Sequence, residues 1–148
     1  MLEYRLRAAT VEDAAILAYH RRAMFEAMGV LPADEVRPLE VATRAYLERA
    51  IAEGAYRGWV VEFDGKVVVG GGLQLRPLVP RPGYTRGEAE GLIVSMWTEP
   101  AHRRRGLARL LEAILAWTSS NGVGAWSCTR PTTAARCTSR MASGGRTR

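Results

Sequence analysis

Three arginines and a glycine, Arg103-Arg104-Arg105-Gly106, stand where an apolar, β-prone run gives way to a helical one. Guanidinium groups carry permanent positive charge and forked donors, and a glycine lets backbone approach a ligand closely. From Leu107 the apolar residues Leu107, Leu110, Leu111, Ile114 and Leu115 follow the stripe of an amphipathic helix. The first turn of such a helix has unsatisfied N–H groups and the positive end of the helix dipole. Strand, basic loop and helix in that order make a site for an anion.

The elements that must position this loop can be read in turn. Leu92 to Trp97 reads as a buried strand, and Glu99-Pro100 breaks it because proline lacks a ladder donor. Upstream, Tyr4-Arg5-Leu6-Arg7 alternates as a first strand. Thr10 with Asp13 three residues on is a capping signal for a helix from Val11 to Gly29, which buries Ala14, Leu17, Ala18, Met24, Phe25 and Met28. The stripe of Met24, Phe25 and Met28 would pack in the core or line a pocket. Pro32 and Pro38 punctuate a loop, and a second helix is expected over Leu39 to Glu53, ended by Gly54. Tyr56 to Phe63 and Lys66 to Leu75 read as a hairpin about Asp64-Gly65. Gly70-Gly71-Gly72 inside the return strand predicts a bulge or a close approach by another group. It does not have the spacing of a dinucleotide fingerprint. Residues 76–88 form a Pro/Gly-rich loop beside the focal strand, and Asn121-Gly122 closes the last helix. The order β-α-α-β-β-β-α predicts an α+β or mixed α/β domain of two or three layers.

Charge and composition narrow the function classes. The net charge is +6, but residues 124–148 hold five arginines (130, 136, 140, 146 and 148) and no acid. The first 123 residues therefore carry 16 basic against all 15 acidic side chains, a nearly neutral body. That argues against nucleic-acid binding, as does the absence of aromatics interleaved with the basic residues of the tail. A basic-tail nucleic-acid binder remains a reading of another class, tested by deleting 124–148. No apolar run is long enough to span a bilayer and the N-terminus lacks a signal-peptide layout, so no membrane and a cytoplasmic setting are expected. Cys128 and Cys137 match no zinc or redox spacing. His20 and His102 lie far apart, so surface or capping roles are expected for both and no metal is expected.

From Gly124 onward the chain contains no Val, Leu, Ile or acidic residue. Such a composition does not repay the entropy of ordering, so a disordered low-complexity tail is expected after a domain at residues 1–123. The genetic code offers an origin for it. With third bases chosen freely, reading from the third base of the Trp126 codon permits V-L-H-A-S-D-D-G-R-P-L-Y-E-P-D-G-F, which has a strand, a helical segment and a strand start. A frameshift near residues 122–126 is the hypothesis, and the nucleotide sequence decides it.

The segment Arg103-Arg104-Arg105-Gly106-Leu107-Ala108 resembles motif A of the GCN5-related N-acetyltransferases (GNAT), Arg/Gln-x-x-Gly-x-Gly/Ala between a strand and a helix. The element order of residues 1–123 is similar to the start of that family, and the shifted reading resembles its later part. The resemblance implies an acyl-CoA N-acyltransferase-like three-layer α/β/α domain with a mostly antiparallel sheet, its C-terminal strands missing or disordered here. It implies acetyl-CoA as cosubstrate, with the pyrophosphate on the N–H groups of Arg103, Arg104, Arg105, Gly106, Leu107 and Ala108. The backbone of Met96, Trp97 and Thr98 would pair with the pantetheine arm. The implied activity is acetyl transfer to a primary amine of a small molecule or peptide. The alternative is a CoA-binding remnant without turnover. Glu90 is the candidate base by the same resemblance, with Glu26 behind it. The family's tyrosine acid falls in the shifted reading, where the written chain has Cys137-Thr138. Loss of the fifth strand would expose a sheet edge and favour a homodimer.

Overall fold

Asp64 and Gly65 both adopt positive φ (51° and 73°), the geometry of the two-residue turn that matches strand twist. They join β2 (Tyr56–Phe63) to β3 (Lys66–Pro77) as the sequence predicts. In a computed structural model, residues 3–83, 85–87, 89–105 and 107–128 are described, with only the backbone at 107 and 124–128. Five strands form one sheet in the order β1-β2-β3-β4-β5, where β1 is Tyr4–Ala8, β4 is Ala89–Thr98 and β5 is Val123–Cys128. The first four run antiparallel, and β5 pairs parallel to β4.

Helices cover both faces. On one, α1 (Ala14–Ala27) and α2 (Val36–Glu53) lie over the sheet, and Leu17, Leu47, Ala50, Tyr56 and Val60 form their shared core. On the other, α3 (Leu107–Ser120) buries Leu110 and Ile114 against Trp59, Val61, Val69, Leu73 and Ile93. This is the expected three-layer α/β/α arrangement. The corner where β1 leads into α1 is pinned by charge. Arg7 donates to both Asp13 oxygens at 2.7 and 2.9 Å and to Glu62 on β2. The Arg7 guanidinium, helped by the Thr10 N–H at 2.8 Å, holds the Asp13 carboxyl below its ordinary value of about 3.8. The expected capping role of Asp13 is thus combined with a salt bridge.

Three readings are corrected. Helix α2 starts at Val36, not Leu39, with Pro38 in its first turn. Proline is tolerated there because the first N–H groups of a helix have no partner within it. His20, expected at the surface or as a cap, is fully buried. The fifth strand, expected to be lost, is present and crosses the expected boundary at residue 123. Its ladder is made by main-chain groups, so a segment with Val123 as its only branched aliphatic residue can still add to a sheet edge. The remainder of the expected disordered tail, 129–148, lies outside the described residues.

The glycine triplet has a physical explanation. A Cβ at Gly70 would lie 2.7 Å from His20 Nδ1 and 2.9 Å from Leu17 Cδ2, and one at Gly72 would lie 2.6 Å from the Tyr56 hydroxyl. A Cβ at Gly71 would collide with Met96 Sδ on the α3 side. Four side chains on two faces therefore use the space that the missing Cβ atoms leave. The close approach is therefore found within the triplet, whereas the bulge lies on the neighbouring strand β4, opposite Gly71.

Candidate acyl-donor and acceptor site

Strand β4 is irregular at its centre. Gly72 pairs with Val94 and Gly70 with Trp97, so the single residue Gly71 opposes both Ser95 and Met96. That extra residue is a β-bulge, and Ser95 takes a positive φ of 60° to form it. Pairing with β5 ends at Ile93–Cys128. Beyond it, among the described residues, no strand pairs with the outer edge of β4 from Val94 to Thr98. The backbone at Met96, Trp97 and Thr98, which the family resemblance assigns to a pantetheine arm, therefore borders an edge left unpaired among the described residues. Trp97 Nε1 and Thr98 Oγ1 are buried there without hydrogen-bond partners among the described residues.

The arginine loop follows directly. Glu99 N–H donates to the Val68 carbonyl at 2.8 Å, and Pro100–His102 make one tight helical turn. His102 is held by a 2.9 Å hydrogen bond between its Nδ1 and the Tyr4 hydroxyl, and its ring lies 5.0 Å from that of Phe63. It anchors the loop to β1 and β2. Arg103 stacks its guanidinium 5.7 Å from the Trp97 ring, and Arg104 has a positive φ of 70°. Left-handed backbone at a non-glycine residue is costly and concentrates at functional sites. Arg103, Arg104 and Arg105 are exposed and precede the N-terminus of α3, where Leu107 and Ala108 supply first-turn N–H groups. Gly106 lies outside the described residues. Open edge, unpartnered buried donors and basic helix entry fit a donor with an amide arm and a phosphate end.

On the α1/α2 face the bulge opens into a cavity of about 330 Å³. Its polar lining comprises Arg21, Thr43, Tyr46, Tyr56, Gln74 and Ser95, and Leu39, Leu47 and Val94 add apolar wall. Arg21 Nη1 donates to Ser95 Oγ at 2.8 Å, which ties helix α1 to the bulge. The Arg21 guanidinium also lies 5.0 Å from the Phe25 ring. Met24, Phe25 and Met28 are half-buried and belong neither to the cavity lining nor to the buried core. The Tyr56 hydroxyl is buried with no hydrogen-bond partner among the described residues, and burial raises its pKa above the ordinary 10. It stays a neutral donor rather than a base.

Glu90 does not join this site. It lies near the start of β4, four residues before Val94 and roughly 13 Å of strand away, and its carboxylate pairs with Arg76 across the ladder. Glu26 is exposed and bound by Arg22 at 2.9 Å. Among the described residues, no carboxylate lines the cavity. The residues that sequence reasoning missed are Arg21, Tyr46, Tyr56 and Ser95. Ser95 had a signal, being the lone polar residue within the apolar run from Leu92 to Trp97. Arg21, beside Arg22 on a helix, reads as a solvated charge until the sheet is folded against it.

His20 precedes Arg21 on α1 and packs against Gly70. Burial depresses its pKa from 6.5 to about 4, although Glu99 Oε1 lies 3.5 Å from Nε2 and pulls the other way. Desolvation dominates because the ring is fully buried. Between those two values the unfolded chain binds a proton that the folded chain refuses, so stability falls as pH drops from about 6.5 to about 4. Thermal midpoints measured from pH 7 to pH 4.5 are expected to show this slope, and His20→Met is expected to flatten it. Equal slopes in both proteins would contradict the assignment.

The comparisons with known proteins agree with this architecture. The model of the acetyltransferase (GNAT) family matches residues 16–137, a span that includes both the cavity and the arginine loop. Among solved structures, the fold is similar to a GCN5-related N-acetyltransferase from Ralstonia eutropha JMP134 (TM-score 0.75, 26% identity, covering 86% of this chain and 84% of that one). It is also similar to a predicted acetyltransferase with acetyl-CoA from Clostridium acetobutylicum (TM-score 0.69, 20% identity, 88% and 81% covered). A third similar fold is an aminoglycoside acetyltransferase from an uncultured soil metagenomic sample (TM-score 0.63, 17% identity, 88% and 82% covered). No curated protein sequence matches. Strand order, bulge, helix placement and a family match over most of the chain lead to one assignment: this chain belongs to the GNAT family of N-acetyltransferases.

Proposed function

We propose that the chain transfers an acetyl group from acetyl-CoA to the primary amine of an acceptor seated in the Arg21–Ser95 cavity. The observation that carries this reading is the meeting, at the Ser95 bulge, of the cavity and the part of the β4 edge that is unpaired among the described residues. Acetyl-CoA would supply an activated thioester. Arg103, Arg104, Arg105 and the N–H groups of Gly106, Leu107 and Ala108 would hold its pyrophosphate. The backbone at Met96, Trp97 and Thr98 would pair with its amide arm.

The reaction joins the acceptor nitrogen to the acetyl carbon and breaks the carbon–sulfur bond. The amine gives up a proton and the departing thiolate takes one. A bulge leaves main-chain groups out of the ladder, so donors at Ser95–Met96 are available to the carbonyl oxygen as charge develops on it. No carboxylate lines the cavity among the described residues, so the amine proton would leave through solvent.

Titration with CoA, read by calorimetry and thermal shift, tests the donor half. A hundredfold excess over Kd is expected to stabilise by about 2.7 kcal/mol, raising Tm by roughly 5–10 °C for a chain of this size. Gly106→Trp is expected to remove that response by blocking backbone approach. An unaltered Tm at millimolar CoA would refute the reading.

A further inference from the structure

We infer that the acceptor is a small primary amine that also bears a carboxylate, an amino-acid-type molecule, and that Arg21 and Tyr56 are the groups that select it. The inference rests on the acyltransferase reading and concerns the acceptor side of the same site.

The cavity is electrically one-sided. Arg21 is its only charged lining residue among those described, and no described carboxylate is paired with Arg21. One guanidinium nitrogen is engaged by Ser95 Oγ, and Phe25 lies against the group. The remaining N–H donors of the fork are left for a ligand. A half-buried cation with one neutral partner attracts an anion, and a planar fork matches a carboxylate geometrically. A polyamine or other polycation would instead bring further positive charge against Arg21 without an acidic group to offset it.

The second observation is independent of charge. Tyr56 is 3% exposed and lines the same cavity, and its hydroxyl has no hydrogen-bond partner among the described residues. A buried hydroxyl left without a partner costs roughly 1–3 kcal/mol. This one is accommodated over Gly72, where any Cβ would lie 2.6 Å from it. The fold keeps a neutral donor buried beside a cation, an arrangement suited to the two oxygens of one carboxylate. The size limit is also informative. About 330 Å³, with Leu39, Leu47 and Val94 in its wall, suits a molecule of amino-acid size with an apolar side chain.

The amine and carboxylate of such an acceptor would then be divided within the cavity. The carboxylate would face Arg21 and Tyr56, and the amine would face the bulge at Ser95, where the open edge of β4 begins. Arg21 is thus a specificity-determining residue, tied to the bulge by the hydrogen bond it donates to Ser95.

The test is calorimetric binding of L-leucine, L-methionine and L-phenylalanine to the full chain, each against its carboxamide and against spermidine, with and without CoA. The acids are expected to bind at least tenfold more tightly than their amides, and spermidine most weakly. Arg21→Gln is expected to erase the preference for acid over amide, and Arg21→Lys to retain part of it. Tyr56→Phe is expected to weaken acid binding while leaving the apo protein as stable or slightly more stable, because an unpartnered hydroxyl is removed. Equal binding of acids and amides, binding of neither at millimolar concentration, or tighter binding of spermidine would each overturn the inference. A chain that ignores CoA yet prefers acids would count against the acyltransferase reading alone. Transfer of acetyl groups to amides and diamines but not acids would leave that reading intact and overturn this one.

Discussion

Gly72→Val is expected to destabilise the protein by about 4 kcal/mol and Gly72→Ala by about 2 kcal/mol, near the upper end of overpacking costs. Backbone propensity alone predicts the opposite sign. Glycine within a strand costs roughly 0.5–1 kcal/mol relative to alanine, so alanine would be a gain if space were free. Space is not free: a Cβ at residue 72 would stand 2.5 Å from the Arg57 carbonyl oxygen and 2.6 Å from the Tyr56 hydroxyl. The first of these belongs to the paired strand, in register with β3 at Leu73. It cannot retreat without opening the β2–β3 ladder. Urea midpoints decide between propensity and sterics, and a midpoint raised by Gly72→Ala would show that the close approach is relieved cheaply. The same substitution is expected to move the Tyr56 ring and so to reshape the cavity. Any loss of ligand binding must therefore be compared with Tyr56→Phe, which leaves Gly72 unchanged.

The parts of the fold that depend on local signals were legible in the sequence. The Asp64-Gly65 turn, the Thr10–Asp13 helix start and the stripe of α3 are written in residues a few positions apart, and each element is found where its pattern lies. The arginine loop was legible for the same reason. What depended on the sheet was not. Arg21, Tyr56 and Ser95 stand on α1, β2 and β4 and meet only after β2, β3 and β4 have paired. Nothing within ten residues of Arg21 distinguishes it from Arg22, whose guanidinium pairs with Glu26 and Glu40 on the outer surface. His20 was misplaced because burial of a neutral imidazole needs no companion in sequence, only a gap such as Gly70 in the facing strand. Composition misjudged β5, since a main-chain ladder depends little on which side chains its residues carry.

The acid half of the chemistry gives the other large expected effect. A thiolate leaves more readily when a positioned group protonates it, and such general acid catalysis contributes roughly 10²–10⁴-fold. The family resemblance assigns that task to a tyrosine, and the written chain has Cys137-Thr138 at the corresponding point. The shifted reading, with free bases chosen to suit, permits L-Y-E there. A chain rewritten from Ser127 onward in the shifted frame is therefore expected to turn over about 10²–10⁴ times faster than the written chain. Its affinity for CoA should change little, because the arginine loop and the open edge of β4 precede the rewritten residues. Replacing the restored tyrosine with phenylalanine should return the rate towards that of the written chain and leave CoA binding as it was. This separation of kcat from CoA affinity distinguishes a lost acid from a general failure to fold, which would lower both. Equal rates in the written and rewritten chains would remove the tyrosine from the mechanism. The gene sequence supplies an independent check, since third bases from residue 126 onward must be compatible with the shifted string.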